Sequence, residues 1–250
     1  MAQRDPAPKR VAQTQKQNSF FGGAAILAAG ILIVKLIGMF YKIPLINIIG
    51  EAGAADFNNA YNIYATLLTS STAGLPVALS KLVSESYALG RTRQAHRTFR
   101  VSLSVFLVLG VASFALMWWG SDLLAGFLNN PRAAYGIRAL APAVVCVGCL
   151  SAFRGYAQGR QYMTPTAVSQ IIEALCKLVL GLALSMWLLH IGQPDYIAAA
   201  GAIAGVTAGT ILSLVYMAID YLRHRPALRR GESCASDRAI LRRLLALAIP

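Results

Sequence analysis

The sequence predicts an all-α fold, a polytopic transmembrane helix bundle of six helices, and three observations carry that prediction. Of the 250 residues, 56% are hydrophobic and only 13% charged, far more apolar surface than one water-soluble core of this length buries. The apolar residues fall in six runs, each reaching the roughly 20 residues needed to cross a hydrocarbon core about 30 Å thick. The basic residues, 23 Lys and Arg against 10 Asp and Glu, collect in alternate connections between those runs. Because they form no single patch, the positive charge predicts contact with membrane lipids and gives no support to a nucleic-acid partner.

Residues 1–18 (MAQRDPAPKRVAQTQKQN) are polar, basic and proline-containing, which predicts a disordered cytoplasmic tail. The apolar stretch that follows is too long for a cleavable signal peptide. The six spans are Phe20 to Ile49, Phe57 to Leu82, Val101 to Trp119, Ala134 to Phe153, Thr166 to Leu189, and Tyr196 to Leu222, so the membrane unit occupies 19–222. A basic linker covers 223–243, and LLALAIP over 244–250 reads as the start of a seventh, truncated span.

Orientation follows from the short basic segments, which resist translocation. The tail carries Arg4, Lys9, Arg10 and Lys16, and the connection after the second span carries Arg91, Arg93, Arg97 and Arg100. Arg154 and Arg160 follow the fourth span; Arg223, Arg225, Arg229, Arg230, Arg238, Arg242 and Arg243 follow the sixth. The remaining connections hold chiefly Glu51, Asp56, Asp122, Arg132 and Asp195. The alternation places the N-terminus and the linker in the cytoplasm, with Trp118, Trp119 and Trp187 as anchors at the outer interface of the cell membrane.

Ionisable residues inside spans cost at least about 2.5–3.5 kcal/mol, so they face partners or wet cavities. Lys35 and Lys42 stand seven residues apart on one face of the first span, and Lys35 has no acid one turn away. Lys42, Lys81, Arg138 and Arg154 lie near enough to span ends to snorkel. Glu173 and Lys177 are spaced i, i+4 and either neutralise each other or face the cavity; Lys81 and Glu85 repeat that spacing. In the second span Asn58, Tyr61, Asn62, Ala65, Thr69 and Thr72 form a polar stripe that lines water or another helix. Pro44, Pro76 and Pro142 predict bends or breaks, and Gly201, Gly205 and Gly209 predict close packing of the sixth span. The candidate substrate-binding residues are therefore Lys35, Lys42, Asp56, Asn58, Asn62, Arg138, Arg154, Glu173 and Lys177.

No P-loop, dinucleotide-binding glycine pattern, zinc-protease motif or nucleophile elbow is present, so the sequence predicts no enzyme and no cofactor. Cys146 and Cys149 make a C-x-x-C within a span, Cys176 lies in another and Cys234 in the linker; they read as small residues, and neither a metal nor a disulfide is predicted. His96, His190 and His224 lie in or near connections, as interfacial residues do.

The stretch KLIGMFYKIPLINIIGEAGAADFNNAYNIYATLLTSSTAGLPVALSKLVSE (Lys35 to Glu85), with FRGYAQGRQYMTPTAVSQIIE (Phe153 to Glu173), resembles the polysaccharide-exporter and stage V sporulation protein B branch of the MOP flippase superfamily. That superfamily also holds the MurJ lipid II flippases and, more distantly, the MATE drug exporters. The likeness runs from about residue 20 to the end, and S-T-A-G-L-P and R-G-Y-x-Q-G are its more specific segments. It implies two six-helix lobes around a central cavity, of which this chain is the first, with the C-terminal lobe as its missing partner. It also implies translocation of an undecaprenyl-pyrophosphate-linked peptidoglycan or polysaccharide precursor by alternating access, the anion being held by basic residues. Lys35 in KLIG matches a cavity arginine of that family, and Asp56 in GAADF matches an acidic position. The sequence departs from the pattern where the uncharged run Thr69 to Thr72 replaces a further basic position.

Two other functions fit the same bundle. A MATE-like exporter of cations needs acids in its cavity, and Glu173 is the only acid deep in the spans. A non-transporting scaffold for envelope synthesis would use the basic loops and leave the intramembrane charges idle.

Overall fold

The computed structural model describes residues 7–72, 74–224 and 235–248, with side chains from Gly22 onward except those of 70–72. Eight helices cover this range: α1 (Ala7–Thr72), α2 (Leu75–Ala88), α3 (Thr92–Trp119), α4 (Ser121–Phe127), α5 (Ala133–Gly159), α6 (Thr164–His190), α7 (Asp195–Arg223) and α8 (Asp237–Ala248). Five of them are long and apolar enough to cross a membrane.

The first of these is two crossings in one. Its apolar part runs over 48 residues, about 72 Å of helix at 1.5 Å per residue and more than twice the hydrocarbon thickness. At Gly50 the backbone takes φ 67° and ψ −179°, a conformation that is essentially restricted to glycine. The limbs 7–49 and 51–72 fold back on each other there, so that Tyr41 and Phe57 come within 6.1 Å, ring to ring. The hairpin therefore supplies the first span and most of the second. The second is interrupted at Gly74, in the left-handed region with φ 74°, and resumes as α2, where Pro76 occupies the first turn. Pro44 and Pro142, by contrast, remain inside continuous helices.

Several boundaries differ from the sequence expectation, among them the start of α3 at Thr92 rather than Val101 and the end of α5 at Gly159 rather than Phe153. Helix α1 begins at Ala7, within the tail assigned to 1–18; Pro8 is compatible with a first turn, and the Ala, Gln and Lys that follow favour helix. The second limb starts at Glu51, six residues before the expected span. Helix α8 starts at Asp237, inside the expected linker 223–243, because Ile240, Leu244 and Ala248 share a face that packs on α2 and α3. Residues 1–6, 225–234 and 249–250, which include Arg225, Arg229, Arg230 and Cys234, lie outside the described residues.

Two large apolar clusters hold the bundle, with a smaller one of Leu150, Ala157 and Met217 between α5 and α7. One large cluster joins α1, α5 and α7 through Ile49, Phe57, Tyr64, Ile137, Leu140 and Ile203; the other joins α2, α3, α5 and α8 through Leu79, Val83, Phe99, Phe106, Tyr156 and Leu244. Helices α6 and α7 approach closely: a Cβ on Gly205 would stand 2.5 Å from the Gly181 Cα, so the predicted small-residue stripe does set helix spacing. Hydroxyls bridge helices where apolar packing cannot discriminate among partners. Thr207 donates to the Ala139 carbonyl at 2.7 Å, Ser213 to that of Ser169 at 2.8 Å, and Ser185 to that of Ala198 at 3.0 Å.

The outward surface is apolar, with Leu32, Phe40, Ile43, Val108, Val179 and Leu222 all exposed. Hydrocarbon is the solvent in which such faces are stable. The chain is a multi-pass membrane protein. Its two ends differ in chemistry. At one, Arg97 meets Asp237 at 2.6 Å, Arg160 lies over the Tyr87 and Tyr156 rings, and His96 shares a 2.8 Å hydrogen bond with Tyr221. At the other, Trp118, Trp119 and Trp187 are exposed at the ends of α3 and α6.

Candidate functional site

A cleft of about 160 Å³ opens between the two limbs of α1 and the middle of α6. Lys42, Asn58, Tyr61 and Lys177 bring polar groups to it, and Tyr41, Leu45 and Phe57 form its apolar wall. Three of the sequence-predicted residues, Lys42, Asn58 and Lys177, thus come together. The face continues from there away from Gly50. Lys35 is exposed two turns from Lys42 on the same side of the first limb, and Asn62, Thr66 and Thr69 are exposed at successive turns of the second. Asn58, Asn62 and Thr69 of the predicted polar stripe consequently lie on an open face of the α1 hairpin.

Lys177 is held by rings. Its Nζ stands 4.8 Å from the Tyr61 centroid, 4.9 Å from that of Tyr41 and 5.8 Å from that of Phe57, all within the range at which an aromatic face attracts a cation. These three rings escaped the sequence reading as a unit. Phe57, Tyr61 and Tyr64 recur at i, i+4 and i+7, which shows one aromatic face, but Tyr41 joins it only through the reversal at Gly50.

Glu173 does not pair with Lys177. Among the described residues its ion pair is with Arg154 of α5, whose Nη2 lies 3.0 Å from Glu173 Oε2 and whose Nε donates to Ser169 Oγ at 2.9 Å. The guanidinium fork satisfies a carboxylate and a hydroxyl together, which a lysine one turn away on the same helix cannot do. The intrahelical pairing considered from the i, i+4 spacing is replaced by a link between helices. It leaves Lys177 as a cation with no carboxylate in contact among the described residues.

Asp56 and Arg138 lie away from the cleft. Asp56 is buried and accepts a 2.6 Å hydrogen bond from Asn130 Nδ2. Arg138 meets Asp122 at 2.7 Å and donates to Ser121 Oγ at 2.7 Å, tying α5 to the short helix α4 at the tryptophan-bearing end. The groups lining the cleft include no carboxylate. Its chemistry is that of fixed ammonium groups and amide donors beside aromatic faces, suited to an anion carrying a polar headgroup.

The polysaccharide biosynthesis protein family matches residues 20–250. The chain belongs to that family. It is 30% identical over 208 residues to the lipid II flippase MurJ of Bacillus subtilis (strain 168), covering 78% of this chain and 38% of that protein. It is 31% identical over 206 residues to stage V sporulation protein B of the same organism, covering 82% of this chain and 39% of that protein. The chain thus spans less than half the length of these family relatives. Among solved structures, a MATE protein in the straight conformation superposes with a TM-score of 0.77 at 15% identity, over 93% of this chain and 51% of that one. The chain therefore has the all-α fold of that MATE structure, and one of its relatives in the family is named a lipid II flippase.

Proposed function

We propose that this chain is one lobe of a flippase that moves an undecaprenyl-pyrophosphate-linked cell-wall or polysaccharide precursor across the cytoplasmic membrane by alternating access. A second, C-terminal lobe would close the open face of the α1 hairpin, and the N-terminus would lie in the cytoplasm. One observation carries the reading: Lys35, Lys42 and Lys177 form no ion pair with a carboxylate among the described residues, and they share a face with Asn58 and Asn62. Fixed cations in a low-dielectric groove lower the barrier for a pyrophosphate to enter hydrocarbon, while the amides replace water around the sugar. Rocking of two lobes about such a face would expose it alternately to each side. A cation exporter is less well supported, because the cleft lining offers no carboxylate to bind or couple a cation.

The test is flipping of a fluorescent lipid-linked precursor in proteoliposomes containing the protein expressed from its complete reading frame. Lys35→Ala/Lys42→Ala should slow translocation about tenfold or more, since a hydrogen bond to a charged group is worth about 1.5–3 kcal/mol. Arg138→Ala, which lies outside the cleft, should leave the rate within about twofold at equal insertion. Wild-type rates in the double lysine variant would sink the reading.

A further inference from the structure

Three rings drawn from both limbs of α1 converge on one ammonium from a third segment, α6. Tyr41 and Phe57 are buried and their rings stand 6.1 Å apart, and Phe57 stacks on Tyr61 at 6.0 Å with 7° between the planes. Convergent aromatic faces of this kind are the means by which proteins hold quaternary ammonium ions, through the negative face of each ring. The same three rings and Lys177 line the cleft, so the cage is open to whatever enters it. Glu173, which would otherwise hold the lysine by charge, is engaged by Arg154.

We propose that Tyr41, Phe57 and Tyr61 form a cation site that the chain fills with its own Lys177, making Lys177 the specificity-determining residue of the cleft. The tethered ammonium occupies the one place where a free organic cation would be stabilised, and its charge repels a second cation. The same charge stays in the cleft for an anion. Removing the lysine side chain would leave an empty box of three aromatic faces beside Lys42, so that a site for a free cation replaces one of the two ammonium groups of the cleft. The consequence for transport rests on the cleft being the substrate site proposed above, but the occupancy of the cage does not.

Tetramethylammonium chloride is the probe, titrated calorimetrically into the chain in lipid nanodiscs with sodium chloride as the control. Wild type should show no saturable binding, whereas Lys177→Ala should bind at least about tenfold more tightly, and Lys177→Ala/Tyr61→Ala should lose that binding. A folded Lys177→Ala that binds no better than wild type overturns the proposal. Should that variant not fold, wild type labelled with 13C at lysine Cε decides the matter. One lysine signal displaced upfield by ring currents, and restored by Tyr61→Leu, supports the cage; the absence of any displaced lysine overturns it. Loss of precursor flipping in the lysine variants with no gain of tetramethylammonium binding would leave the transport reading standing and remove this one. The opposite pair of results would do the reverse.

Discussion

Arg154 of α5 and Glu173 of α6 meet at 3.0 Å with only 17% and 26% of their side chains exposed. This is the one link by which the charge on α6 is neutralised from another helix among the described residues, and Ser169 and Ser213 extend it to α7. Removing one member strands the other in a low-dielectric setting, which costs about 3–5 kcal/mol for a fully buried pair and somewhat less here. Glu173→Gln and Arg154→Gln should each destabilise the bundle by about 2–3 kcal/mol in denaturant titrations in mixed micelles. Arg154→Leu/Glu173→Leu should recover most of the loss. A double variant as unstable as the sum of the singles would contradict this assignment.

Gly50 sets the hairpin. Its φ of 67° and ψ of −179° cost a residue with a Cβ about 1–3 kcal/mol. Gly50→Ala should lower stability by that amount, whereas Gly38→Ala, where a Cβ would meet nothing within 4 Å, should be neutral or stabilising by up to about 1 kcal/mol. Paired unfolding measurements check both, and equal effects would argue against a conformational cause.

The α6–α7 contact has no room for growth at Gly205. A Cβ there would fall on the Gly181 backbone, and overpacking of this kind costs about 1–3 kcal/mol. Gly205→Ala should therefore separate the two helices enough to show as faster hydrogen exchange along α7. Unchanged exchange and melting would mean that the helices are free to shift at no cost.

Helix α8 is tethered by charge through an exposed ion pair. The hydrogen bond from Arg97, reinforced by its charge, holds the Asp237 carboxyl below the usual carboxylate range. A carboxyl whose folded value is depressed contributes stability in full above its unfolded value near 3.9 and loses it as pH falls through the lower folded value. The separation of spin labels placed at Ala78 and Ala248 should lengthen or broaden below about pH 4, and Asp237→Asn should remove that dependence. Persistence of the pH effect in the variant would point to another group.

Much of the fold was legible because its determinants are local. Apolar runs of membrane length mark α3, α5, α6 and α7 to within a few residues, except that α3 starts at Thr92 rather than Val101 and α5 ends at Gly159 rather than Phe153. There a polar extension of one helix, carrying Arg93, Arg97 and Arg100, leaves no hydropathic trace. The small-residue stripe of α7 and the open polar stripe of the second limb were legible for the same reason, since helical spacing alone places them on faces. The cage around Lys177 was not, because it needs the first limb laid against the second.

The sequence by itself determined that the chain crosses lipid repeatedly and where its arginines gather, since hydropathy and loop charge act on each segment separately. Only the tertiary structure decided which charges answer each other. An i, i+4 spacing permits Glu173 to reach Lys177, but packing α5 beside α6 offers it the guanidinium of Arg154 instead, and folding α1 at Gly50 offers Lys177 three rings. Partner choice inside a membrane depends on competition among groups distant in the chain, because no water is present to satisfy the one left over.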